Sequence, residues 1–178
     1  MKLTVKRPET TVELCLDGSL YGEWRTAQAE LERLNKEKLG DDRLNSPIRS
    51  KAEHIKRLEQ EMKDQTVVFT LRGMRRADWE HLTSANPPRD GDERDEKLYG
   101  FNLSSVMERA IPESIVAVHR GEEKIDFDAD TDWDDLADSM TDAQYEDFIV
   151  GVLQVNRGRV ELPFSFAASR EILTSEGS

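Results

Sequence analysis

Apolar and polar residues alternate along Thr11-Val-Glu-Leu-Cys-Leu16, the two-residue period of a strand with one buried face. Asp17-Gly18 supplies a turn after it. The period then changes. Over 23–39 the apolar positions Trp24, Ala27, Leu31 and Leu34 recur every three or four residues, which predicts a helix. Gly40 punctuates its end and Pro47 stands near the next start. Over 48–64 the residues Ile48, Ala52, Ile55, Leu58 and Met62 repeat the seam. Each predicted helix is about 25 Å long, at about 1.5 Å per residue. Two helices of equal length joined by a short loop predict an antiparallel hairpin. A second alternating stretch, Thr66-Val-Val-Phe-Thr-Leu-Arg72, follows at once. Because a hairpin returns the chain to where it began, this strand is placed to pair with the first. Residues 1–72 are therefore expected to form a β-α-α-β unit.

The remainder reads as helical. Gly73 precedes a short helical pattern with Met74, Ala77, Trp79 and Leu82. Residues 86–97 are polar, charged and carry Pro87-Pro88, the signature of an exposed flexible loop. Asn102 or Ser104 is placed to cap a helix through about Ala110, and Pro112 opens a short element running through Ile115-Val-Ala-Val118. Thr131 precedes the helical stretch 132–140, whose first turn is acidic. Thr141 and Gln144 form a capping box for the most apolar helix, which ends at Arg157-Gly158. An apolar segment, 162–173, follows, and 174–178 reads as a flexible tail. The expected architecture is mainly α with a small β element: a strand–helical hairpin–strand unit over 1–72 and a helical region over 73–173.

Composition sharpens this picture. The 178 residues carry a net charge of -12, with 35% charged and 37% hydrophobic. That is polar for a single domain, yet the 3 Trp and 6 Phe provide a core. The charge is unevenly placed. Residues 1–65 hold 13 basic and 13 acidic groups, whereas 90–148 hold 5 basic against 19 acidic. The longest nearly apolar run, 148–155, falls far below the roughly 20 residues that span a bilayer. No secretory signal is read at the N-terminus, and the chain is expected to be soluble and cytosolic. An acidic total argues against binding nucleic acid, whose phosphates call for a Lys/Arg surface.

The motifs that bear on chemistry are few. Acidic residues recur along Asp126-Phe-Asp-Ala-Asp-Thr-Asp-Trp-Asp-Asp135. A calcium loop needs glycine at its sixth position and glutamate at its twelfth. Starting from Asp128 these are Trp133 and Ser139, and from Asp126 they are Thr131 and Ala137. A solvated loop entering a helix is the better reading. Arg72, Arg75 and Arg76 form the only positive cluster, with Asp78 and Glu80 directly after them. The single Cys15 sits in a strand alternation, where a small buried thiol is the common role. His54, His81 and His119 fall in separate elements. No nucleophile elbow, P-loop or dinucleotide fingerprint is present. The expectation is a protein that is not an enzyme and needs no cofactor or metal. What remains is interaction surface: Leu31, Leu34, Ile55 and Leu58 on the hairpin seam, and Leu162, Phe164 and Phe166 in the apolar tail, are the candidate partner contacts.

An ordered set of motifs adds a further expectation. Phe69-Thr-Leu-Arg-Gly-Met-Arg-Arg-Ala-Asp-Trp-Glu-His-Leu82 is followed by Pro87-Pro88 and Tyr99-Gly-Phe-Asn-Leu103. Then come Asp132-Trp-Asp-Asp-Leu136, Ala143-Gln-Tyr145, Val155-Asn156 and Val160-Glu-Leu-Pro-Phe-Ser-Phe-Ala-Ala-Ser169. This succession, over about 66–170, resembles the tail assembly chaperones of long-tailed phages and prophages of actinobacteria. The resemblance implies a small, mainly helical, non-enzymatic protein of the host cell cytoplasm. It would bind the tape measure protein, keep it soluble, and help tail tube protein polymerise around it. It would be absent from the mature virion and would match the short form of a frameshifted pair. It brings no catalytic positions. Homo-oligomers remain open.

Two other readings stand beside it. One is an acidic decoy that presents 90–148 to a basic partner surface, as a DNA mimic would. The other is a structural tail component retained in the particle.

Overall fold

The computed structural model describes residues 3–37 and 45–158. Strand β1 (Glu9–Cys15) leads into helix α1 (Gly18–Glu37), and α2 (Asn45–Asp64) leads back to β2 (Thr66–Arg72). The two strands pair antiparallel, with Val12 opposite Phe69 and Leu14 opposite Val67. Asp17 follows the bend after β1 and opens the next helix directly. Its carboxylate accepts from the Ser19 backbone N–H at 3.0 Å and from the Ser19 hydroxyl at 2.6 Å, which caps α1 and starts it at Gly18 rather than at 23. Those bonds, the hydroxyl's first, hold the Asp17 carboxyl below its ordinary value.

The hairpin is antiparallel, as the seams predict. Leu20, Ala27, Ile55 and Leu58 are buried between its helices, flanked by Trp24, Leu31 and Met62. Lys51 pairs with Glu30, and the Trp24 indole N–H donates to Glu59 at 3.1 Å. Each helix has 20 residues, so the hairpin is about 30 Å long. Its apolar cluster is separate from that of the rest of the molecule.

The part following β2 is not wholly helical. After α3 (Arg76–Ala85), a single π-helical turn (Asp95–Tyr99) and α4 (Leu103–Ser114), the chain forms strands β3 (Ile115–Arg120) and β4 (Glu123–Lys124). Residues 115–118 therefore belong to a sheet: the β-branched run pairs with β2, Phe69 opposite Val118 and Thr70 opposite Ala117. Gly121, at φ 57°, takes the first position of the two-residue turn into β4. Pro112 opens no new element. It lies inside α4, where it forfeits one helical hydrogen bond only a turn from the end, and the burial of Met107, Ala110 and Ile111 holds the helix around it. Helices α5 (Ala129–Asp138) and α6 (Asp142–Arg157) complete the described chain. The Thr141–Gln144 capping box forms as read, and Asn102 is the cap of α4.

The result is mainly α with a small four-stranded antiparallel sheet in the order β1-β2-β3-β4. One sheet face, with Val12, Leu14, Val67, Phe69, Leu71 and Val118, is buried with residues of α4 and α6. Phe69 meets Phe148 and Phe127 edge-on at 5.2 and 5.4 Å, and Trp133 meets Phe148 at 5.0 Å. Helix α6 crosses β1 and β2 closely enough that a Cβ on Gly151 would stand 2.8 Å from Leu71 Cδ1 and 3.1 Å from Val12 Cγ2. A larger residue there would have to displace the buried Leu71 side chain. Strands β1 and β2 thus share a core with the helices that follow, and the boundary between apolar clusters falls at the two ends of the hairpin rather than at residue 72.

Candidate interaction surfaces

The hairpin brings together three of its four candidate contacts. Ile55 and Leu58 are buried and Leu31 is half-buried, all in the seam between α1 and α2. Their apolar surface is turned toward the hairpin's own partner helix. Leu34 is half-buried farther along α1. Leu162, Phe164 and Phe166 lie outside the described residues. Among the described residues of the hairpin, the exposed large apolar side chain is Tyr21 near its base, which stacks on Trp24 with ring centroids 5.9 Å apart. Tyr21 is a residue that seam-counting passes over, because it precedes the stretch 23–39 over which the seam was counted while the helix begins at Gly18.

A second surface unites α3 with the approach to α4. Trp79, Tyr99, Phe101 and Arg157 line a cleft of about 260 Å³. Trp79 meets Phe101 edge-on at 5.7 Å. The Arg157 guanidinium lies 5.8 Å from the Phe101 ring and donates to the Tyr99 carbonyl at 3.1 Å.

The stretch 86–97 is built rather than loose, which corrects its reading as a flexible loop. Asp95 is fully buried and takes two hydrogen bonds from the Arg89 guanidinium, one from the Arg89 backbone N–H and one from that of Leu103. One carboxylate thereby fixes both the loop and the N-terminal end of α4. Sequence composition conceals this, since Asp95 is one acid among many.

The acidic surface has a different character. From Glu122 to Asp147 the chain holds twelve acidic residues and one basic, Lys124. All twelve are exposed. Among the described residues none of them forms an ion pair. The Asp ladder serves the start of α5: Asp128 accepts from the Asp130 N–H at 3.0 Å, and Asp132 accepts from the Asp128 N–H at 2.9 Å. Among the described residues no three His, Cys, Asp or Glu side chains converge to hold a metal ion. Burial raises the Tyr145 phenol above its ordinary value, with Glu108 and Asp134 adding to the effect. The positive cluster finds partners outside 90–148: Arg72 pairs with Glu9 at 2.7 Å and Arg76 with Glu80 at 3.6 Å.

No family model, curated protein or solved structure matches this chain. Among the described residues no helix is long and apolar enough to cross a membrane.

Proposed function

We propose that this protein is a tail assembly chaperone of the long-tailed phage type, non-enzymatic, acting on the tape measure protein in the host cytoplasm. It would keep that protein soluble while tail tube subunits assemble, and would leave before the virion is complete. One observation carries the reading. The separated motifs that bear the resemblance meet in one core: Phe69, Leu71, Leu82, Phe101 and Trp133 are buried together, with Trp79, Tyr99, Leu136 and Tyr145 packed against them. Motifs that converge in this way mark one structural unit, as a resemblance carried by their order along the chain requires. The acidic, charge-rich exterior also suits a protein that must keep an apolar client dispersed. Co-expression with a long helical tape measure fragment tests it. The fragment should move from the insoluble to the soluble fraction and co-purify. Unchanged solubility sinks the reading.

The exposed acidic surface from Glu122 to Asp147, which forms no ion pair among the described residues, favours a second reading, an acidic decoy for a basic protein. It forecasts binding to a basic nucleic-acid enzyme that collapses as salt rises, since the Debye length shrinks to about 3 Å at 1 M.

A further inference from the structure

Two hydrogen bonds that frame β1 fix which way its backbone faces. The Gly73 N–H donates to the Pro8 carbonyl and the Leu16 N–H to the Gln65 carbonyl, each at 2.9 Å. Both lie on the register that sets Val12 opposite Phe69. Bonded and non-bonded pairs alternate in an antiparallel ladder, so Thr10, Val12 and Leu14 turn their N–H and C=O groups to β2. Glu9, Thr11, Glu13 and Cys15 turn theirs to the outer edge, where among the described residues no backbone group pairs with them. A seven-residue edge with no Lys, proline or bulge inside it is a template for another strand.

A second copy of this chain fits that edge in three respects. Laid antiparallel on its own image with Val12 on the dyad, β1 sets Thr11 opposite Glu13 and Glu9 opposite Cys15 of the second copy. All four outward residues are then bonded and no carboxylate faces another. Sliding by one bonded pair sets either Glu9 against Glu13 or Glu13 against Glu13, so the longest register is also the one free of like charges. One step past the strand it brings Arg7 to Asp17 of the second copy, and residues 1–65, which carry this edge, have no net charge. The second respect is apolar surface. Leu3 and Val5 ahead of β1, Leu16 directly after it and Val150 above it are four of the seven large apolar side chains exposed among the described residues. The third is room. A Cβ on Gly151 would meet Leu71 of β2 as well as Val12 and Thr10 of β1, so α6 lies over both strands rather than over the rim. With strands about 4.8 Å apart, the two copies of α6 would run side by side at about 10 Å, a packing distance for helices. Val150, 56% exposed, lies on the side of α6 away from the buried Phe148 and Val152, where the two helices would meet.

We infer that β1 is a homodimer interface: two copies join edge to edge, with Val12 on the two-fold axis, into one eight-stranded antiparallel sheet. This inference stands apart from the chaperone reading.

Sedimentation equilibrium on the full chain over a dilution series tests it, together with residue-resolved hydrogen exchange. The wild type should pass with rising concentration from the 20.4 kDa of one chain to twice that mass. The outward amides of Thr11 and Glu13 should be protected in the dimer and lose that protection on dilution, while Val12 and Leu14, bonded to β2, keep theirs in both states. Thr11→Glu sets a carboxylate against Glu13 of the second copy at two places and should weaken the dimer about tenfold. Thr11 is exposed, so the fold accommodates the change. Adding Glu13→Lys should restore the dimer, because the facing pair is then of opposite sign; a variant that merely misfolds would not recover. A chain that stays monomeric at every concentration overturns the proposal. So does a dimer that Thr11→Glu leaves intact, or one that Glu13→Lys does not bring back. Protection of Thr11 and Glu13 that persists in the monomer assigns the edge to another part of the same chain and overturns it too.

Discussion

Arg89 and Asp95 grip each other across a short loop, Nε 2.6 Å from one carboxylate oxygen and Nη2 3.2 Å from the other. The Asp95 side chain is 1% exposed and that of Arg89 is 49% exposed, so the pair seals the loop from inside while its cation reaches water. The guanidinium's hydrogen bond, opposed by burial and reinforced by the Leu103 and Arg89 backbone N–H groups, holds the Asp95 carboxyl at about 2 against an ordinary 3.8.

An acid-stability signature follows. Between pH 3.8 and about 2 the unfolded chain binds a proton at this site that the folded chain does not, so stability falls as pH drops through that window. Asp95→Asn should flatten this part of the acid limb, as read from urea midpoints across the acidic range. At neutral pH the same variant should raise exchange at the Leu103 amide, whose acceptor becomes a weaker, neutral one.

Gly151→Ala should cost about 1–3 kcal/mol of unfolding free energy, the usual range for overpacking. The new methyl would meet Leu71 Cδ1 at 2.8 Å, and Leu71 is itself fully buried. Chemical denaturation checks the value. A neutral result would mean that the Leu71 and Val12 side chains give way to the methyl at a cost no larger than the helix-propensity gain of about 1 kcal/mol.

Leu58→Ala removes a buried side chain from the hairpin seam and should cost about 2–5 kcal/mol there. Because the seam cluster is distinct from the main core, exchange should accelerate across α1 and α2 while β2, α4 and α6 stay protected. Uniform acceleration would show the two clusters to be one cooperative unit.

Thr141→Ala breaks a reciprocal cap in which the Gln144 N–H donates to the Thr141 hydroxyl at 3.4 Å and the Thr141 N–H donates to the Gln144 side chain at 2.9 Å. The expected loss is about 1 kcal/mol, measured by denaturation. The same element carries Phe148, Val152 and Gly151 into the core, so fraying its first turn should be felt globally.

The sequence was most legible where one period ran long. The alternation of β1 and β2, the seams around Leu31 and Leu58 and the Thr141 box all formed in the structure, because local pattern and tertiary burial agree there. It was least legible around 112–124. Pro112 carries a breaker's local signal, yet the buried neighbours Met107 and Ile111 keep α4 intact. Ile115-Val-Ala-Val118 is too short for periodicity to separate strand from helix, and the deciding signal was the Gly121-Glu122 turn three residues later. Asp95 was invisible for another reason. Burial of a charge depends on where Arg89 and Leu103 arrive, and no spacing rule encodes that.

The strands of the sheet lie in chain order, so the molecule is at heart a meander whose first turn has been replaced by the helical hairpin and whose second by the stretch from α3 to α4. The Leu16 N–H to Gln65 carbonyl bond, 2.9 Å long, closes the base of the first excursion much as a tight turn would. The hairpin's length is therefore mechanically uncoupled from strand register. Adding or deleting matched turns in both helices would move its tip by about 5.4 Å per turn while every pairing in the sheet stays as it is, which makes the hairpin a boom of adjustable reach on a fixed mount.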